Sequence, residues 1–207
     1  MSKLATAIVA AGALLGSALA ATPAAAEPVT YNVAKVRGLD IFYREAGPKS
    51  APTVLLLHGF PTSSHMFREL IPALASRYHV IAPDYPGFGH SSAPTLDQFT
   101  YTFANLADVI DEFTSQLGLK SYVLYMQDYG GPVGLRLALK NPHKVRGLVV
   151  QNAVTNVEGW NPEVVAAFNP AWQNRTSETE KPLRAAFAAE ETKRQYTHGA
   201  SDRKSVV

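Results

Sequence analysis

Two stretches of the chain alternate apolar with polar residues, and several others are short, unbroken apolar runs. "VTYNVAKV" and "LDIFYREAG" alternate on either side of Arg37-Gly38, the pattern of an antiparallel hairpin with one face half exposed. "TVLLLHG", "HVIAPD", "YVLYMQD" and "GLVVQN" are continuous runs that each end in polar residues or glycine, as parallel strands covered on both faces do. Between the runs the period changes to that of a helix. Phe67, Leu70, Ile71 and Leu74 make one helical stripe, and Phe103, Leu106, Ala107, Ile110 and Leu117 a second. Val133, Leu135, Leu137 and Leu139 predict a third helix, buried on most sides.

Alternating strands and helices predict an α/β fold, a doubly wound, mostly parallel sheet with an N-terminal antiparallel hairpin. From Val154 onward the pattern changes. "EGWNPEVVAAFNPAWQNRTSETEKPLRAAFAAEETKRQY" has prolines at the starts of helix-like pieces and no strand run, which predicts short helices laid over the sheet.

Composition narrows this picture without redirecting it. The 207 residues suit one domain with a sizeable core, and 46% hydrophobic with 17% charged residues is ordinary for a globular chain. A net charge of +2 with no basic stripe argues against nucleic-acid binding, and the absence of cysteine excludes thiol catalysis, disulfides and cysteine-ligated zinc. "MSKLATAIVAAGALLGSALAATPAAAE" carries Lys3, an apolar stretch and small residues at candidate cleavage sites after Ala20 or Ala26. Residues 1–26 are therefore expected to be a secretory signal peptide, with membrane contact only during export and a secreted or periplasmic product. An uncleaved anchor is the alternative, against which the shortness of the apolar run counts.

The candidate chemistry centres on "QDYGG", where a strand run stops at Asp128 and a helix resumes after two glycines. In an open parallel sheet, ligands bind beyond the carboxyl ends of the strands, and Asp128 stands there. A nucleophile elbow needs a sharp strand-turn-helix with small neighbours; Gly130 and Gly131 supply the room, and the helix N-terminus favours a carboxylate. An Asp that merely caps its helix is the simpler alternative. "LLLHGFPTSS" ends the first parallel strand, so that the backbone amides of Phe60 and Tyr129 could form an oxyanion hole beside the elbow. "APDYPGFGHSS" marks a tight loop in which Asp84 is expected to be structural.

Taken in this order, the three motifs resemble the α/β-hydrolase superfamily, from about Tyr31 to Asn152, the front half of that fold. "QDYGG" and "HGFPTSS" look most like its aspartate-nucleophile branch, which holds epoxide hydrolases and haloalkane dehalogenases. The resemblance implies a core over 27–153, a partial helical cap over 154–201, and Asp128 attacking an electrophilic carbon to form an alkyl-enzyme ester. A histidine oriented by an acid would then activate water, the co-substrate, with a small-molecule substrate and no metal or organic cofactor. Dehalogenases usually carry a Trp after the nucleophile and an Asn or Glu after the HG pair. Tyr129 and Phe60 stand there instead, which favours epoxide-type hydrolysis with Tyr196 as a candidate cap tyrosine. A dehalogenase and a non-catalytic α/β binding protein are the alternatives.

The triad is incomplete in this sequence. The six histidines are His58, His65, His79, His90, His143 and His198, and none follows a late strand; His198 comes nearest to that place. Asn152 occupies the strand end where some relatives of this branch place the acid. Asp202 to Val207 with a stop can be written GAT CGG AAG AGC GTC GTG TAG, a common sequencing-library adapter, so the biological sequence is expected to stop near Ser201. This chain is accordingly expected to complete at most one turnover, and to expose "GLVVQ" as a sheet edge that lowers its solubility.

Overall fold

A computed structural model of the chain describes residues 28–198. The expected signal peptide over 1–26 and the tail over 202–207 lie outside the described residues. The hairpin is β1 (Thr30–Val36) paired in antiparallel register with β2 (Leu39–Ala46). Arg37 and Gly38 both take positive φ, 52° and 80°, the two-residue turn whose twist matches that of the strands it joins.

Four strands follow: β3 (Thr53–Leu57), β4 (His79–Pro83), β5 (Tyr122–Gln127) and β6 (Val145–Gln151). The sheet order is β1-β2-β4-β3-β5-β6, antiparallel from β1 to β4 and parallel from β4 to β6. The chain leaves β3 for β4 on one side, then returns past β3 to lay β5 on the other. The carboxyl ends of β3 and β5 therefore border the point where the winding reverses, the place where such sheets bind ligands.

Both faces of β3 and β4 are covered, which is why their sequences are unbroken apolar runs. Leu55, Leu57 and Ile81 pack against α2 (Phe103–Gln116) and α3 (Gly130–Lys140), alongside Val109, Ile110, Phe113 and Val133. Val54, Leu56, Val80 and Ala82 face the other way, onto Phe67, Ile71 and Ala75. α2 begins where the Thr102 side chain accepts from the Asn105 amide, satisfying one of the free donors of its first turn.

Three elements depart from the sequence expectation. The first helical stripe is broken: Ser64–Phe67 is a single 3₁₀ turn capped by Ser63, and α1 is only Leu70–Ala75. α3 is buried all round over residues 130–134, as expected, but along one side only beyond, since Leu135 is half-buried and Leu139 is exposed. β6 reads as a covered strand, yet Leu148, Val149 and Val150 are 47%, 43% and 56% exposed, because no described element packs beyond it. Its sequence is that of an inner strand placed at the sheet's edge. After β6 come α4 (Pro162–Gln173), α5 (Lys181–Ala186) and α6 (Ala189–Thr197), with no strand among them. Among the described residues, no helix is long and apolar enough to cross a membrane.

The loops at the carboxyl ends of β3 and β4 are held by one carboxylate. Asp84 is fully buried; its Oδ1 accepts from the Ser64 amide at 2.7 Å and its Oδ2 from the His90 amide at 2.9 Å. A Cβ at Gly89 would lie 2.0 Å from Oδ2, so this loop closes on the carboxylate only with glycine there. Asp84 is thus built into the scaffold, the role its motif implied. Asp84→Asn would set an NH₂ group against an N–H donor, leaving a buried amide unsatisfied, at an expected cost of about 1–3 kcal/mol in urea unfolding. Tyr85→Phe next to it is expected to shift stability by less than about 0.5 kcal/mol, because the buried Tyr85 hydroxyl has no hydrogen-bond partner among the described residues.

Candidate active site at the end of strand β5

β5 ends at Gln127, and α3 starts only three residues later, at Gly130. The turn between them requires Asp128 to adopt φ 49°, the left-handed region that costs a non-glycine residue roughly 1–3 kcal/mol unless its surroundings enforce it. The surroundings do. A Cβ at Gly130 would stand 2.2 Å from the Leu57 carbonyl oxygen, and one at Gly59 would stand 2.6 Å from the Asp128 Cβ. The elbow thus lies directly against the end of β3, with no room for a side chain between them.

The Asp128 side chain is turned towards β3 and away from its own helix. Its Oδ1 accepts from the Phe60 amide at 2.8 Å, across 68 residues of sequence, while the start of α3 has no side-chain cap. A purely capping aspartate would bond the first-turn amides of its helix. Of the two amides expected to form an oxyanion hole, that of Phe60 therefore already touches the carboxylate. Tyr129, the other, begins α3, and its ring contacts Phe60 and Phe103 at centroid distances of 5.3 and 4.8 Å. Burial, and secondarily the Asp128 charge, raise the Tyr129 phenol above its ordinary value, so it stays protonated and can donate.

His58, at the end of β3, is buried with both ring nitrogens engaged. The Tyr85 amide can only donate, so Nε2, 3.2 Å away, is the acceptor, and Nδ1–H donates to the Gly59 carbonyl at 2.9 Å. Burial holds its pKa below 6.5, against the opposing pull of the Gly59 carbonyl and of Asp84 and Asp128. It is a neutral strut rather than a base. The other histidines are also spoken for or distant in the fold. His79 Nε2 pairs with Glu45 at 2.7 Å near the opposite, amino ends of the parallel strands. His65 Nδ1 lies 3.4 Å from the Arg44 guanidinium, and His90 packs on Phe42. His143 lies in the turn before β6, and His198 ends α6, exposed. Asn152, also at positive φ, is exposed at the end of β6.

Most of the walls of the site come from residues that no sequence motif placed there. Phe88 and Phe103 line an apolar cleft with Phe60 and Tyr129, and on the side of α4 and α5 Trp172, Leu183 and Phe187 line another against the same pair. Phe187 meets Phe60 at a centroid distance of 4.8 Å. Tyr196 is exposed and lines a third cleft with Phe60 and Gln127. Phe88 sits within a Gly-Pro loop motif and Phe187 at the end of α5, and neither spacing shows that they meet over Phe60. Among the described residues, no group of three or more His, Cys, Asp or Glu could hold a metal ion.

A mixed sheet whose switch point carries a strained carboxylate against a glycine-rich strand end describes a class of enzyme scaffold. Residues 52–199 match the family model of the α/β hydrolase fold, and the chain belongs to that family. It is 43% identical over 141 residues to an uncharacterized hydrolase of Saccharomyces cerevisiae, covering 68% of this chain and 48% of that protein. With a haloalkane dehalogenase of Bradyrhizobium diazoefficiens it shares 39% identity over 127 residues, covering 61% of this chain and 40% of the relative. The solved structure of the epoxide hydrolase CorEH superposes with a TM-score of 0.67 at 26% identity, covering 82% of this chain and 60% of that one. The chain spans less than half the length of these two curated relatives.

A neutral buried histidine makes stability pH-dependent with a definite sign. Because folding depresses the His58 pKa, the unfolded chain binds the extra proton first as pH falls below 6.5, and stability is lost there. The urea midpoint is expected to be flat with respect to this group above that pH. Below it, the fall should be no steeper than about 1.4 kcal/mol per pH unit from this one group. Measured against His58→Gln, the native chain should show the steeper acid limb.

Proposed function

We propose that Asp128 is a nucleophile that attacks an electrophilic carbon, as in an epoxide, and forms an alkyl-enzyme ester. The observation that carries this reading is the aim of the carboxylate: on a strained elbow at the switch point, it faces the Phe60 amide rather than the helix it precedes. In the first step an Asp128 oxygen forms a bond to carbon as the epoxide C–O bond breaks, and the released alkoxide takes a proton from a water molecule, leaving hydroxide to solvent. In the second, water adds to the ester carbonyl, and the amides of Phe60 and Tyr129 stabilise the oxyanion until the alcohol leaves. Holding the carboxylate in line, half-buried, makes a weak nucleophile useful.

Two substrate readings follow from the same elbow. Epoxide opening fits the site better, because the residues that would hold a halide, Phe60 and Tyr129, offer no indole or amide side-chain N–H. Haloalkane hydrolysis is the second reading, favoured by the names of the relatives at about two-fifths identity. In either case His58 is committed to the scaffold and no other described histidine is seen bonded to Asp128, so we take this chain to form the ester and to hold it.

Intact-mass measurement with peptide mapping checks this directly. Incubation with a small epoxide is expected to add one substrate mass to the peptide holding Asp128, stable for hours. Asp128→Asn should show none, with stability changed by less than about 1 kcal/mol. Unmodified protein, or modification that persists in Asp128→Asn, overturns the assignment; prompt loss of the adduct overturns the stalled second step.

A further inference from the structure

On the face of the sheet that packs against α2, three apolar stripes end in polar residues where the parallel strands begin. Leu55 follows Thr53 on β3, Ile81 follows His79 on β4, and Tyr43 precedes Glu45 on β2, each pair two residues apart and so on one face. Thr53 and His79 are direct partners in the parallel register, and Glu45, opposite Ile81, lies diagonally across from His79. The His79 side chain is only 6% exposed and that of Glu45 13%. Yet all three groups line one cavity of about 600 Å³, whose surface is more polar than apolar. Residues 117–121, where α2 ends, form its far wall. The cavity lies at the opposite end of the strands from Asp128.

The hydrogen bonds of the three run in one direction. Glu45 Oε1 lies 2.7 Å from His79 Nε2, and a carboxylate can only accept, so Nε2 carries the ring proton. In the neutral ring Nδ1 is then a bare lone pair, and Thr53 Oγ1, 3.4 Å away, donates to it. A hydroxyl set on an imidazole that a carboxylate orients is the arrangement of an activated nucleophile, and such bonds are often long until a substrate tightens them. Tyr43, 8% exposed, lines the same cavity, and its hydroxyl has no hydrogen-bond partner among the described residues. Burial, and secondarily the Glu45 charge, raise its phenol above the ordinary value, so it remains a donor. A His–Glu pair that only fastened two strands together would need neither the hydroxyl nor the opening.

We propose that Thr53, His79 and Glu45 form a second nucleophilic site, independent of Asp128, that takes small polar acyl esters. Thr53 Oγ1 bonds to the ester carbonyl carbon as its proton passes to His79 Nδ1, and the Tyr43 hydroxyl donates to the oxygen that gains charge. The bond from that carbon to the alcohol oxygen then breaks, and the proton on His79 goes to the departing oxygen. Water repeats the two steps on acyl-Thr53, releasing the carboxylic acid and restoring the hydroxyl. Glu45 touches no reacting atom; it is a positioning residue that holds the imidazole in the accepting tautomer.

The probe is 4-nitrophenyl acetate, added to the 207-residue chain. An early release of 4-nitrophenolate is expected, with one acetyl group that peptide fragmentation places on Thr53. Neutral hydroxylamine should remove that group, because it cleaves an ester and leaves the amide of an acetylated lysine such as Lys49 intact. Thr53→Val, which keeps the shape of a strand side chain, should abolish the ester. His79→Gln is expected to slow its formation about a hundredfold or more. Glu45→Gln should slow it about tenfold or more at saturating ester and leave the half-saturating concentration unchanged. Urea unfolding checks that each variant is folded, and Thr53→Val with Glu45→Gln carry the same test should His79→Gln not fold. No ester on Thr53 in the native chain, or acetylation confined to lysines, overturns the proposal. Equal acetylation of Thr53 in the folded variants of His79 and Glu45 overturns it too. An acetyl group on Asp128 instead of Thr53 assigns the reaction to the elbow and removes the second site.

Discussion

Everything at the candidate site depends on the Asp84 carboxylate. Loops at the ends of parallel strands have no ladder partners of their own, and here two of them must be held within hydrogen-bond reach of a third element. Asp84 takes the Ser64 amide of one loop on one oxygen and the His90 amide of the other on its second. His58 repeats the tie beside it, accepting from the Tyr85 amide at Nε2 and donating to the Gly59 carbonyl from Nδ1 of one neutral ring. With Gly59 and the residues after it so placed, the Phe60 amide has one position available, and that position faces Asp128. The hydrogen bonds of one buried acid thus set the aim of a half-buried one.

The same arrangement explains the distribution of glycine around the elbow. Gly59 and Gly130 stand where the β3 end and the β5 turn press together, and a methyl group at either would meet atoms within 2.2 Å. Close approach of this kind lets a carboxylate from one strand and an amide from the next share a hydrogen bond without any intervening side chain. The left-handed backbone at Asp128 is the local consequence of bringing a helix onto the sheet in so few residues.

Much of this was legible in the chain. Unbroken apolar runs gave the parallel strands because both faces of β3 and β4 are covered, and Arg37-Gly38 gave the hairpin turn. The elbow was legible because Asp128 interrupts an apolar run immediately before two glycines. The misjudged elements share a cause: periodicity reports what a segment is built to bury, not what is present to bury it. β6 has the composition of an inner strand and lies at the edge, and Leu139 continues an apolar pattern on an exposed side of α3. The aromatic walls escaped notice because Phe60, Phe88, Phe103 and Phe187 come from four separate segments, and no local spacing joins them.

The uncovered β6 has a further consequence, for how the molecule opens. β3 is held on both sides by parallel ladders, whereas among the described residues β6 is held along one side, to β5, and its apolar side chains are about half exposed. Local fraying of β6 therefore uncovers only side chains that are already about half exposed, while separating β3 from β4 or β5 empties both cores. Amide hydrogens of β6 should exchange with solvent through small, frequent openings, and those of β3 only when the whole domain unfolds. The sheet is thus protected most along its central strands and least at its two edges, β1 and β6, with the candidate site at the ends of β3 and β5 in its slow-exchanging middle.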